Sequence, residues 1–431
     1  MARFLFVKPC WPYPYSKGDH TYNRIWPPLS LLNGAAILER QGHVAHVLDA
    51  HALRLSLDDI PSRLQGYDAI FITSSCLDRW QCPPSDITPF LETVKRAQQV
   101  TAEIYVMGYH GTVDPEGVLQ RTQVKAVLRG EPERMIEALG AGKAHPDIPG
   151  LTYFSEGEII SSGDGQALDL SSLPLPAYHR IDRRLYSYEI LGGDFALFEF
   201  SRGCPYDCKF CNKIMYGSSW RTKSLPQIKS EIQTAVEQYH YRTGYFFDLE
   251  FLSDRQLAEK ICDFLISRHY SFQWCCQTRA DSLDEFILDK MKQAGCRLIH
   301  MGLESAQQKY LDLSGKNMRL AQAREAVSLC RSAGIQSLVF LLFGFAGETS
   351  SEREAALRFV QECDPDYVSF HKLYPYRAGA FYLPDLNENQ EIDRFIRKAV
   401  LRYYLRPKIL LRMNRRALLR SARLVLGRLR S

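Results

Sequence analysis

Short runs of apolar, often β-branched residues alternate with stretches of helical periodicity along most of the chain, each run closing on a turn signal. That alternation is the pattern of βαβ units and a parallel sheet. In the first part, runs at 4–8, 44–49, 69–74, 104–107 and 126–129 predict five strands, with helices near 29–41, 57–64, 84–99 and 114–121 between them. The expectation is a doubly wound, Rossmann-like α/β domain over residues 1–140. Residues 141–193 are rich in Gly, Ser and Pro and read as a linker. Alternation resumes over 194–385, with runs at 196–201, 244–247, 272–277, 298–302, 337–342 and 367–370. Six βα units predict a partial (β/α)6, TIM-like barrel. Ligands of parallel α/β folds bind at the carboxyl ends of the strands, so functional residues are expected just after these runs.

Composition sharpens the picture in two places. The 431 residues are 45% hydrophobic and 24% charged, as in a folded soluble protein. The net charge of +5 is uneven: residues 394–431 hold 13 Lys or Arg and no acid, which leaves −8 for the rest. Residues 386–431 therefore read as a basic helical C-terminal extension. The longest apolar stretch, 338–346, is about half the length of a membrane span. At the N-terminus, Lys8-Pro9 interrupts the apolar run before a secretory signal could develop. A cytoplasmic protein is expected, its twelve cysteines serving as thiols, metal ligands or small buried side chains rather than disulfides.

Directly after the first run of the second domain stands Ser201-Arg202-Gly203-Cys204-Pro205-Tyr206-Asp207-Cys208-Lys209-Phe210-Cys211-Asn212. Three thiolates spaced C-x3-C-x2-C can hold three irons of a [4Fe–4S] cubane, which normally takes four cysteines, and leave one iron open. Reading Cys208 and Cys211 alone as a thioredoxin-like pair wastes Cys204. The motif resembles the signature of the radical S-adenosylmethionine (SAM) superfamily, with Phe210 as the aromatic residue before the last cysteine. The resemblance implies that Cys204, Cys208 and Cys211 hold the cluster. It also implies that the open iron chelates SAM, which is cleaved to a 5′-deoxyadenosyl radical. Asp248, Glu250, Arg279, Gly302, Glu304, Ser305, Gly344, Gly347 and Glu348 fall at later strand ends, where a sulfonium carrying an ammonium and a carboxylate needs acids, an arginine and close backbone approach. For each acid taken singly, a helix cap or first-turn charge is the plainer reading.

The first domain lacks a G-x-G-x-x-G after its first strand, so a dinucleotide site is not expected. Its order of elements resembles the cobalamin-binding domain preceding the radical SAM barrel in one large subfamily. Supporting residues are Pro27-Pro28-Leu29-Ser30, Ser74-Ser75-Cys76-Leu77, Gly108-Tyr109-His110-Gly111-Thr112, Gly130-Glu131-Pro132-Glu133 and Leu173-Pro174-Leu175-Pro176-Ala177. The resemblance implies cobalamin (methylcobalamin) against Ser74, Ser75, Leu77, Gly108, Gly130 and Glu131. There are departures. Met107 stands where the family often has glycine and would narrow the slot for the nucleotide tail. Asp49-Ala50-His51 resembles the start of D-x-H-x-x-G but follows the second strand and has Arg54 in place of Gly, so no histidine ligand to cobalt is expected. Leu77, Asp78 and Arg79 are the candidates for the lower face of cobalt. Methylthiotransferases, with a second cluster on three N-terminal cysteines, are a rival: Cys10 and Cys76 fit, but no third cysteine follows the fourth strand.

The resemblance thus implies a cobalamin-dependent radical SAM enzyme that C-methylates an unactivated carbon of a small-molecule or lipid-like substrate, with flavodoxin or ferredoxin as electron donor. A cyclase or oxidoreductase without methyl transfer, or a non-catalytic binding module, are the alternatives. The basic tail reads first as an amphipathic helix capping the barrel, and second as a contact with anionic lipid at the inner face of the membrane. Without an aromatic stacking platform, nucleic acid is not expected. Tyr374-Pro375-Tyr376-Arg377-Ala378-Gly379, after the last run, either contacts a ligand or ends the barrel.

Overall fold

The computed structural model describes residues 1–11, 25–78, 87–101, 103–211, 213–216, 219–373 and 386–412. Contacts divide the chain into two units, residues 1–203 with 213–244, and residues 204–212 with 245–431. The division thus falls at the cysteine motif rather than at the expected boundaries of 140 and 193.

In the first unit, β1 (Arg3–Lys8), β2 (Val44–Asp49), β3 (Ala69–Thr73), β4 (Ile104–Met107) and β5 (Ala126–Leu128) are parallel, at the positions their apolar runs predict. Helix Leu29–Arg40 packs on one face of this sheet and is buried from Leu29 to Leu38. It comes this close because a Cβ at Gly34 would sit 2.6 Å from the Phe6 ring, which itself stacks on Phe71 at 4.9 Å. The linker expectation needs correction: β6 (Leu151–Ser155) and β7 (Glu158–Ser161) extend the same sheet antiparallel, giving the order β2-β1-β3-β4-β5-β6-β7. The hairpin turns through Glu156 and Gly157, both at positive φ, as a two-residue turn requires. The strand was obscured because β7 is largely exposed and carries no apolar alternation. The order reverses between β1 and β3, and such a switch point opens a crevice at the carboxyl ends of the strands.

Two short antiparallel pairs follow, β8 (Ser187–Tyr188) with β9 (Gly192–Gly193), and β11 (Ser201–Arg202) with β12 (Arg221–Thr222). Between them runs β10 (Phe195–Phe198). The second sheet has six strands, as predicted: β10, β13 (Thr243–Phe246), β14 (Gln273–Thr278), β15 (Cys296–Glu304), β16 (Gln336–Phe343) and β17 (Tyr367–Lys372), neighbours in chain order. Chain-order neighbours joined by helices are a succession of βαβ units. The helices start where the sequence caps them: Asp254, Asp284 and Thr349 each accept a backbone N–H three residues on.

The described part of the C-terminal extension is helical, Leu386–Tyr404 then Pro407–Arg412. It is docked through aromatic side chains: the Tyr404 hydroxyl bonds both the carbonyl and the amide of Val368, at 2.8 and 3.0 Å, and Tyr403 is buried against Pro365. Lys372 meets Asp393 at 2.9 Å and Arg402 meets Glu354 at 2.8 Å. Arg394, Arg397 and Lys398 are exposed. Residues 374–385 and 413–431 lie outside the described residues, and with them the motif from Tyr374 to Gly379. Among the described residues, no helix is long and apolar enough to cross a membrane.

Candidate active site

Cys204, Cys208 and Cys211 lie on one loop, all partly exposed and none in a disulfide. The Cys211 amide donates to the Cys208 carbonyl at 2.9 Å, a tight turn that brings these two residues together at the loop's end. The loop rests on the turn Ser314-Gly315-Lys316. The Lys209 amide donates to the Ser314 carbonyl at 2.9 Å. Gly315, at φ +68, leaves 3.2 Å between a Cβ position and the Asp207 carbonyl, a tight fit in a backbone conformation that side chains rarely adopt. Phe210 packs against the cluster of Tyr310, Phe345 and Leu373. Among the described residues, no three His, Cys, Asp or Glu side chains converge closely enough for a single metal ion. A cubane places its thiolates on separate irons and so spreads them more widely than a mononuclear site does. The donor set, three thiols on one loop, fits such a cluster with an open iron.

Charged groups surround the loop. Arg279 is 7% exposed, stacks over Tyr206, forks onto Asp281 at 2.8 and 2.7 Å and donates to the Lys316 carbonyl at 2.6 Å. Cys208 lies near enough to help hold its charge. Lys316, also buried, pairs with Glu304 at 3.0 Å, with its ammonium 5.8 Å from the Phe210 ring. Glu304 has φ +68, and the Ser305 amide closes a three-residue turn onto Leu303 at 2.9 Å. A non-glycine residue held in this region stores backbone strain of the kind found at ligand sites. Gly302 makes room for it, since a Cβ there would lie 2.1 Å from the Glu304 carboxylate. The Ser305 hydroxyl accepts the Gln307 amide at 3.1 Å.

After β13, Asp248 and Glu250 are both buried. Burial pushes the Glu250 carboxyl up to about 7 although Thr278 donates to it. Glu348 is pushed up to about 7 in the same way, and turns back to accept the Gly344 amide at 2.6 Å, closing a loop in which Gly344 and Gly347 have positive φ. Of the residues expected to meet SAM, Arg279, Glu304 and Phe210 gather around the cysteine loop. Ser305, Gly347 and Glu348 hold their own loops. Lys316, Asp281, Tyr206 and the Ser314-Gly315 turn were not anticipated. A lysine three residues beyond a short helix carries no spacing signal, and only its burial beside Glu304 marks it.

In the first unit, Ser74 and Ser75 turn out to fasten a loop. Ser75 Oγ accepts the Tyr109 amide at 2.7 Å, and Ser74 Oγ accepts the Gly111 amide at 3.1 Å while donating to the Met107 carbonyl at 2.9 Å. Gly108, at φ +99, leaves a Cβ position 2.7 Å from Ser75 Oγ. Gly130 has φ +70, and its Cβ position faces open space. Leu77 is buried, and Asp78 accepts from the amide and hydroxyl of Ser30 at the start of the first helix. Met107 packs into the core with Leu31, Ala35 and Phe71. His51 is buried, and Arg79 lies outside the described residues. Glu131 pairs with Arg202 and Arg221, so its carboxylate also serves a structural pairing that the sequence does not announce. The side-chain-free positions at the ends of β4 and β5 fit a flat ligand that needs close backbone approach.

The Radical SAM superfamily matches residues 198–360. The uncharacterized methyltransferase PH0819 of Pyrococcus horikoshii is 25% identical over 90% of this chain and 89% of its own length. The anaerobic magnesium-protoporphyrin IX monomethyl ester cyclase of Rubrivivax gelatinosus is 24% identical over 91% of this chain and 71% of its own. In fold, the chain resembles the radical SAM methyltransferase TsrM of Kitasatospora setae, solved with cobalamin and a [4Fe–4S] cluster (TM-score 0.71, 17% identity, 88% of this chain and 74% of that one). It also resembles the cobalamin-dependent radical enzyme OxsB (TM-score 0.68, 18% identity, 94% of this chain and 56% of that one). Residues 198–360 are thus a radical SAM domain, and the chain is a radical SAM enzyme homologous to proteins named as methyltransferases.

Proposed function

We propose that the chain is a cobalamin-dependent radical SAM methyltransferase acting on a carbon of a small-molecule or lipid-like substrate. The observation that carries this reading is the three-thiol loop seated on the Ser314-Gly315-Lys316 turn beneath Arg279, in a chain that matches a named methyltransferase along nearly its whole length. When bound, a [4Fe–4S] cluster, SAM and cobalamin would supply one-electron cleavage of the sulfonium and a transferable methyl group.

The chain's own residues hold and orient. Cys204, Cys208 and Cys211 bind iron as thiolates. Arg279 and Lys316 are the cations for a carboxylate, while Glu250 and Glu304 are the acids for an ammonium. Gly108 and Gly130 admit the face of a corrin to the strand ends. Tyr206 and Phe210 exclude water from the loop. Flavodoxin or ferredoxin is the electron donor in this reading, in the cytoplasm. The basic tail caps the barrel through Tyr403 and Tyr404, with an anionic lipid surface as the second use of its exposed arginines.

The test is anaerobic reconstitution with iron, sulfide and cobalamin, followed by SAM and a reductant, with 5′-deoxyadenosine and S-adenosylhomocysteine quantified by mass spectrometry. Both products, the second dependent on cobalamin, support the methyltransferase. A second reading, a cyclase without methyl transfer, is favoured by the likeness to the anaerobic cyclase and predicts deoxyadenosine alone. Neither product would overturn both.

A further inference from the structure

The stem of the cysteine loop is built on a buried charge cluster that the reading above leaves unused. β11 and β12 place Arg202 opposite Arg221 in an antiparallel ladder, where two like charges repel. Arg202 is wholly buried. It is answered by Glu131 at 2.9 Å, Glu133 at 2.7 Å and Glu199 at 2.8 Å. Arg221 also donates to Glu131, at 2.5 Å, and to the carbonyls of Leu168 and Tyr216, both at 2.9 Å. Glu131 therefore grips both arms of the stem. Such a cluster adds little net stability over apolar packing of equal volume. What it adds is direction, because each guanidinium fork holds its carboxylate in a fixed plane. One residue further on, Gly203 has φ +81 and its Cβ position lies 2.4 Å from the Ser219 carbonyl, so the two arms are closed against each other immediately before Cys204.

We propose that Glu131, with Arg202 and Arg221, is a positioning clamp for the cluster-bearing loop: it locks both arms of the stem so that Cys204 leaves the ladder in a single direction. Glu131 stands one residue after Gly130, at the end of β5. The clamp thereby ties the segment after β5 to the ladder that immediately precedes Cys204 in the chain. The inference deepens the proposed function and rests on it.

Glu131→Gln removes the charge and keeps the size, leaving Glu133 and Glu199 to Arg202. The parent and the variant are reconstituted anaerobically and compared by iron per chain, by the electron paramagnetic resonance of the reduced cluster with and without SAM, and by circular dichroism melting. The variant is expected to fold, while the fraction of cluster whose resonance shifts on adding SAM falls about tenfold, the low end of what losing a group that orients a metal ligand costs. Glu137→Gln, which breaks an exposed pair with Arg40 in the same unit, changes neither. If Glu131→Gln does not fold, Arg221→Lys is read in the same way, since Arg221 is partly exposed. Parental iron content and a parental response to SAM in a folded variant overturn the clamp. Absence of any cluster in the parent overturns the proposed function, and the clamp with it.

Discussion

Arg279 lies over the ring of Tyr206, its guanidinium carbon 4.2 Å from the ring centroid, while its nitrogens hold Asp281 and the Lys316 carbonyl. One side chain thus joins the cysteine loop, β14's end and the turn beneath the loop. Arg279→Lys keeps the charge, but an ammonium cannot serve a fork, a carbonyl and a ring together. Iron content is expected to persist while 5′-deoxyadenosine formation slows about tenfold, the worth of about 1.4 kcal/mol. An unchanged rate would reduce Arg279 to packing.

The cysteines separate into two classes. Cys208→Ala is expected to abolish both the cluster's absorbance and SAM cleavage. Cys76 is buried in the first unit, and burial with Asp49 nearby raises the thiol of Cys10 above its ordinary range, an environment that disfavours thiolate ligands. Cys76→Ser should leave iron per chain at the parental value, measured colorimetrically; a loss of about half would revive the two-cluster methylthiotransferase.

Burial pushes Glu250 up to about 7 from an ordinary value of 4.5. Between these values the folded chain keeps a proton that the unfolded chain has released. This contribution to stability is therefore full below pH 4.5 and lost as pH rises through about 7, where the buried carboxylate costs up to about 3 kcal/mol. Glu250→Gln keeps an acceptor for Thr278 and removes the titration. Its melting temperature relative to the parent should rise from about pH 5 to about pH 8. Glu348 titrates in the same window, so the parental slope should shrink rather than vanish. A constant difference across that range would contradict the burial argument.

Gly108 has φ +99 and ψ −169, a region open essentially to glycine alone. Gly108→Ala adds a Cβ within 2.8 Å of both Ser75 Oγ and Thr73 Oγ1. A loss of about 2–3 kcal/mol is expected in denaturant unfolding, together with weaker cobalamin retention after gel filtration. Full cobalamin retention in a destabilised variant would separate the glycine's backbone role from the ligand face.

Much of the architecture was legible because parallel strands buried on both faces leave continuous apolar runs, and Phe4 to Lys8 or Leu338 to Phe343 can hardly be read otherwise. β7 escaped because an exposed edge strand has no apolar face to announce it. The cysteine motif was legible because its three ligands are close in sequence and their spacing is itself the chemistry.

Local spacing could not reveal which distant groups meet. Glu131 was expected at a ligand face, and no local spacing announced that it binds Arg202 and Arg221, 71 and 90 residues away. Lys316 became part of the site only through Glu304 and Phe210. Periodicity and short motifs are written in neighbours along the chain and so survive in the sequence. Charge pairing across a fold depends on which strand ends come together, and is settled when burial forces each cation to find an acid.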